Sequence, residues 1–169
     1  MRWIALIALL AACDQEVAEA PAPVALTDDA LGYFCQMHIA GHDGPKGQIH
    51  LANFPQPLFF AQVRDVVAYL KGPEREADIT AIYVSDMGSA QSWAQPGDMN
   101  WTDARSALYV VGADVRGGMG APEIAPFATR ESAQAFTRLY GGTVMTLDEI
   151  PDDAALGPVD LDRVLEDPA

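Results

Sequence analysis

Cys35 and Met37 stand two residues apart in the run Tyr33-Phe34-Cys35-Gln36-Met37-His38. A thiolate beside a thioether is a soft donor pair, and soft sulfur ligands select Cu(I) over magnesium, calcium or manganese. Zinc accepts thiolate but rarely thioether. On an extended strand, alternate side chains share a face with Cα atoms about 6.5–7 Å apart, so both sulfurs can bend toward one ion. The competing reading is a buried strand in which Cys and Met are apolar fillers. The three histidines, His38, His42 and His50, all follow closely. On a regular strand His38 points away from the sulfurs. His42 sits in the next turn and can swing back, and His50 lies on the following strand. The expected third donor is Met119, presented by the glycine-rich turn Gly117-Gly118-Met119-Gly120, with His42 as the alternative. A thioether does not titrate, whereas an imidazole must lose a proton before it binds, so pH separates the two. Met87 and Met99 are expected to stay outside the site.

A lone thiol outside the cytoplasm needs an occupant, and the N-terminus places the chain there. Met1-Arg2 is a minimal positive start, residues 3–9 are apolar, and Leu10-Ala11-Ala12-Cys13 follows. Small residues before a cysteine read as a lipoprotein signal in which Cys13 becomes the lipidated first residue of the mature chain. A spanning helix needs about 20 apolar residues, more than this run holds. Several acyl chains on one cysteine make a stable anchor. The sequence has two cysteines. With Cys13 lipidated, Cys35 has no intramolecular partner in an oxidising compartment, and a metal is one answer.

The charge balance excludes other classes. Ten Lys plus Arg stand against 24 Asp plus Glu, a formal charge of −14. Such a chain repels nucleic acid and offers no basic patch to anionic lipid. The 169 residues are enough for one ordinary domain or two very small ones.

The elements that must position these donors read as a repeat. Residues 31–39 are expected as a first strand, 41–45 as a turn and 46–52 as a second strand. A helix is expected from Pro57, with Phe59, Val63, Val66, Val67 and Leu70 on one apolar face, stopped by Gly72-Pro73. Residues 79–85 are β-branched and aromatic and predict a strand. The second half repeats the order: a strand at 107–112, the glycine turn, an extended piece at 124–128, a helix capped by Thr129 and ended by Gly141-Gly142, and a strand at 143–147. The fold class is therefore α+β, two small tandem ββαβ units. The segments are residues 1–12 as signal, 13–30 as lipidated cysteine and disordered tether, 31–86 and 103–150 as the two units, 87–102 as linker loop, and 151–169 as a mostly disordered acidic tail. Within that tail, Leu161, Val164 and Leu165 suggest one weak helical turn.

Taken together, the lipidation box, Cys-x-Met, Gly44-Pro45-Lys46, the strand end Tyr83-Val84-Ser85-Asp86, Gly-Gly-Met-Gly, and Pro126-Phe127 before a helix ending in Gly-Gly resemble the NosL family. These are the lipoprotein copper chaperones of nitrous oxide reductase maturation. The resemblance covers residues 31–150. It implies two ββαβ domains and binding of Cu(I) for assembly of the copper–sulfide centre of nitrous oxide reductase. It also implies a partner, the ABC-transporter-type maturation complex, and a periplasmic, lipid-anchored location. The motif carries over to Cys35 and Met37, and less directly to Met119. Many relatives have glycine between Cys and Met, where Gln36 stands here. The resemblance implies a transfer protein and not an enzyme. The alternatives are a copper storage or sensor lipoprotein without a dedicated client, and a thiol enzyme using Cys35. The last lacks a resolving cysteine and an evident oxyanion turn.

Overall fold

The computed structural model describes residues 19–159. Cys13, the signal, the first part of the tether and residues 160–169 lie outside the described residues.

Among the described residues, seven strands form two antiparallel sheets. The first unit runs β1 (Gly47–Leu51), β2 (Leu58–Phe60), α1 (Val63–Lys71) and β3 (Ile79–Ser85), followed by β4 (Trp101–Asp103). Its sheet order is β2-β1-β3-β4. The second unit runs β5 (Leu108–Ala113), β6 (Ala125–Phe127), α2 (Arg130–Tyr140) and β7 (Gly141–Thr146), in the order β6-β5-β7. Each half thus pairs its first strand with both others, and the ββαβ repeat holds. A short helix, α3 (Asp152–Leu156), follows.

One core joins the two sheets. Ile49, Phe60, Val63, Val66, Val67 and Ile82 of the first unit pack in a common cluster with Tyr109 and Ile124 of the second. Asp86, at the end of β3, stitches the units by polar contacts. Its Oδ1 accepts the Ala128 N–H at 2.9 Å, and the neighbouring Met87 N–H donates to the Pro126 carbonyl at 3.0 Å. The Tyr-Val-Ser-Asp motif is thus a structural seam, since a buried carboxylate is tolerated only when hydrogen-bonded.

Three expectations need correction. Residues 31–39 are not a strand. The Gln36 N–H closes back on the Gly32 carbonyl at 2.8 Å and the Gly32 N–H donates to the Met37 carbonyl at 2.9 Å. Leu31 bridges His38, and Gln36 takes φ +56°. The segment is a tight loop that doubles on itself before the first unit begins. The left-handed conformation at Gln36 is the one that glycine adopts without cost. Second, Phe59 lies in β2, not in the helix. Leu58-Phe59-Phe60 pairs with Ile49-Gln48-Gly47, and a short apolar run fits either period. Third, much of the expected disorder is ordered. Val24 exchanges hydrogen bonds with the Gln48 amide at 2.9 and 3.0 Å, and Leu26 and Ala30 are buried. At the other end α3 packs along α1, burying Ile150 and Ala155, with Lys71 paired to Asp152 at 2.6 Å. Few apolar residues suffice when a ready groove receives them. The expected linker also contains β4.

Candidate metal centre

The Cys35 loop is held on the first unit by main chain and by aromatic packing. Gly32 pairs in parallel with Phe59, and the Tyr33 N–H donates to the Phe59 carbonyl at 2.7 Å. Tyr33, Phe34, Phe60 and Tyr69 form one ring cluster, with centroids 5.5–5.8 Å apart for Tyr33–Phe60, Tyr33–Tyr69, Phe34–Phe60 and Phe60–Tyr69. Glu76 accepts from both tyrosine hydroxyls. These contacts fix the turn that precedes Met37. A Cβ on Gly32 would meet the Cys35 Sγ at 2.5 Å and Ile39 at 3.0 Å. The sulfur therefore lies on the bare face of Gly32. Cys35 is half-buried and free, and Met37 is 42 % exposed.

The second candidate piece comes from the other unit. Between β5 and β6 the chain forms a narrow hairpin in which Arg116 pairs with Pro122. Its tip is Gly117-Gly118-Met119-Gly120, closed by Gly117 N–H to the Ala121 carbonyl at 2.9 Å and Gly120 N–H to the Gly117 carbonyl at 2.8 Å. Met119 is 41 % exposed. The tip lies against His42: a Cβ on Gly118 would meet the His42 Cβ at 2.6 Å and the Asp43 carbonyl at 2.9 Å. It also lies against Gln62, whose Oε1 accepts the Met119 N–H at 3.4 Å.

Of the expected donors, the structure thus places the turn that carries Met119 against His42 through Gly118, and Cys35 with Met37 on the loop against residues 59–61. His42 is half-buried, and its Nδ1 is buried with no hydrogen-bond partner. His38 is exposed and bridges Leu31 through its backbone. His50 is absorbed by the fold. It is buried on β1, its Nε2 lies 2.9 Å from Gln48 Oε1, and its ring meets Tyr83 edge-on. Burial holds its pKa below the ordinary histidine range. Met99 is exposed and Met87 packs on the second unit's core.

Sequence reading misses the residues that frame these loops. Lys46 is buried, and its Nζ donates to the carbonyls of His42, Asp43 and Gly44 at 2.6, 3.1 and 2.5 Å. Burial lowers its pKa to about 8, while Glu123 and Asp43 act to raise it. This one ammonium draws the His42 turn tight, which gives the Gly-Pro-Lys motif its role. Trp93 covers Gly44 and donates Nε1–H to the Arg116 carbonyl at 2.9 Å, tying that turn to the Met119 hairpin. Glu123 is buried, and its Oε1 accepts from Arg64 N and Ile124 N at 2.9 and 2.8 Å. Desolvation pushes its carboxyl up to about 8 against those two donors. Its Oε2 has no partner.

Among the described residues no three His, Cys, Asp or Glu side chains gather as a metal site. A cleft of about 600 Å³ opens beside the far end of α1, lined by Val67, Leu70, Lys71, Ile79, Arg105 and Leu147. It holds no sulfur or imidazole donor.

The chain is similar to known proteins in sequence and in fold. The family model for NosL matches residues 23–155. The chain is 52 % identical over 157 residues to the copper-binding lipoprotein NosL of Achromobacter cycloclastes, covering 92 % of this chain and 81 % of that one. It is 35 % identical over 142 residues to the copper-binding lipoprotein NosL of Stutzerimonas stutzeri, covering 84 % and 72 %. The crystal structure of the copper chaperone NosL from Shewanella denitrificans superposes with a TM-score of 0.71 at 32 % identity, over 78 % of this chain and 96 % of that one. The solution structure of apo-NosL from Achromobacter cycloclastes gives 0.50 at 54 % identity, over 68 % and 91 %. A matched family model spanning most of the chain, close relatives and a shared two-sheet fold lead to one conclusion: this chain belongs to the NosL family.

Proposed function

We propose that this chain is an extracytoplasmic, lipid-anchored Cu(I) chaperone, which delivers copper for the copper–sulfide centre of nitrous oxide reductase through its maturation complex. The observation that carries the copper reading is the half-buried thiol of Cys35, seated on Gly32 in one loop with the exposed thioether of Met37. One thiolate supplies charge and tight binding, and thioethers add soft donors without charge. Partial exposure suits transfer. An incoming thiolate or imidazole of a receiving protein can reach the ion before the chaperone's donors leave. Met119 is the proposed third donor, with His42 beside it as the alternative, and Cys13 is the proposed lipidation site. The names of the relatives support copper, the anchor and a non-catalytic role. The reductase as client and the oxidation state rest on family resemblance and on donor chemistry.

Competition against a chromophoric Cu(I) chelator tests the site. The wild-type chain binds one Cu(I), and Cys35→Ser loses tight binding because a hydroxyl stays protonated and hard. Met37→Ala weakens binding less. Equal affinity in the wild type and Cys35→Ser would refute the assignment.

A further inference from the structure

Gln62 touches the Met119 turn and directly follows the residues that hold the Cys35 loop, and it does not perform the task its position suggests. It is the N-cap residue of α1, extended at φ −148°, yet its side chain makes no cap hydrogen bond. Glutamine is a poor N-cap, because short oxygen-bearing side chains serve there. The task passes to the second unit: Glu123 Oε1 accepts the Arg64 N–H in the first turn of α1 at 2.9 Å. Gln62, only 4 % exposed, is left free to reach across. Its Oε1 accepts the Met119 N–H at 3.4 Å, and its Nε2 donates to Asp65 Oδ1 at 3.2 Å. A Cβ on Gly117 would lie 2.6 Å from this Oε1 and 2.4 Å from Glu123 Oε2. The Met119 turn is therefore seated directly on these two side chains. One residue earlier, the Ala61 backbone N lies 3.9 Å from the Cβ position of Gly32, on which Cys35 rests, and Phe59 holds Tyr33. Residues 59–62 grip the Cys35 loop with main chain and the Met119 turn with one amide.

We infer that Gln62 is a positioning residue for copper: its amide oxygen sets the Met119 turn against the Cys35 loop so that the Met119 thioether reaches the ion. This inference rests on the copper reading above. An amide suits the place because it accepts a hydrogen bond without setting a second carboxylate beside Glu123.

A double-mutant cycle on the full chain tests it. Cu(I) affinity is measured for the wild type, Gln62→Leu, Met119→Ala and the double variant. Leucine keeps most of the volume and removes the acceptor. Gln62→Leu should weaken Cu(I) binding roughly 3- to 10-fold, the order of one net buried hydrogen bond, and should add nothing in the Met119→Ala background. An equal loss in both backgrounds, or no loss in either, overturns the inference. Where circular dichroism shows Gln62→Leu unfolded, Gln62→Asn, whose oxygen falls one methylene short, carries the same expectations. Methyl-labelled methionine NMR of the copper-free chain is the second readout. The Met119 methyl should sharpen and shift in the Gln62 variant while Met145, on β7, stays unchanged, and an unaltered Met119 signal overturns the inference. This arm needs no metal, so it stands apart from the copper reading, whose failure would show as Cys35→Ser binding Cu(I) like the wild type.

Discussion

The two ββαβ units share a topology and differ in what lies on them. In the first, α1 buries Val63, Arg64, Val66, Val67 and Tyr69. In the second, α2 buries Ala133 alone, and Leu139 is 77 % exposed. The third strand of the first unit, β3, is paired on its outer edge by β4. Its counterpart β7 pairs with β5 only among the described strands and is exposed or half-exposed throughout. Residues 21–30, the Cys35 loop, β4 and α3 are laid on the first unit, whereas Met87 and Trp93 of the connecting segment pack on the second. One chain pattern thus gives a thickly covered platform and a thin second layer. The platform holds the thiol, and the thin unit reaches over with Met119 and Glu123. The proposed donor set, split in this way, would let a small shift between the loops loosen an ion without unfolding either unit.

The largest expected effect lies on the platform. A Cβ on Gly47 would stand 2.3 Å from Val66 Cγ2, where β1 presses on α1. Gly47→Ala should destabilise by about 1–3 kcal/mol, the usual result of overpacking a core that cannot yield. Chemical denaturation measures it, and a neutral outcome would mean that α1 is less tightly seated than the contrast with α2 requires.

Next comes the bridge between the units. Burial raises the Glu123 carboxyl from its ordinary 4.5 to about 8. Between those values the folded chain holds a proton that the unfolded chain has released, so this group's contribution to stability falls as pH rises from about 4.5 to about 8 and then levels. Glu123→Gln keeps an oxygen acceptor for Arg64 N and removes the titration. Its stability relative to the wild type should climb across that window, with a slope of at most about 1.4 kcal/mol per pH unit. Parallel pH profiles would contradict a buried protonated carboxyl.

The smallest effect is expected on the thin unit. Leu139→Ala removes a side chain that α2 leaves in solvent, and stability should move by less than about 0.5 kcal/mol. A larger loss measured by thermal unfolding would show that α2 has cover of its own, which would erase the contrast.

Much of this was legible in the chain. The strand at 79–85 and the helix between Thr129 and Gly141 were readable because local signals agree with tertiary demand. Thr129 Oγ1 accepts the Ser132 N–H at 3.2 Å, and Gly141 takes φ +73°. The first unit departs from its sequence pattern by one element. The Cys35 segment has strand composition but folds into a loop, because Gln36 adopts a left-handed backbone that its residue type does not announce. Phe59 then slid into the helix pattern. The candidate donors Cys35, Met37 and Met119 can be named from soft-sulfur chemistry and the glycine turn around Met119. Gln62 and Glu123 were not, because an N-cap supplied from 59 residues away leaves no local signature. The tail reads as disordered because it is acidic and punctuated by proline and glycine, which leaves Ala154 and Ala155 little apolar company in the sequence. α1 offers them a face that only the folded structure reveals.

X-ray absorption at the copper edge of the Cu(I)-loaded chain, beside the same spectrum of Met119→Ala, tests most directly whether the platform and the thin unit share one ion. The account predicts a sulfur-only shell from Cys35, Met37 and Met119 that loses one sulfur in the variant. A shell that contains a nitrogen scatterer and is unchanged by Met119→Ala would contradict it and would assign the third position to His42.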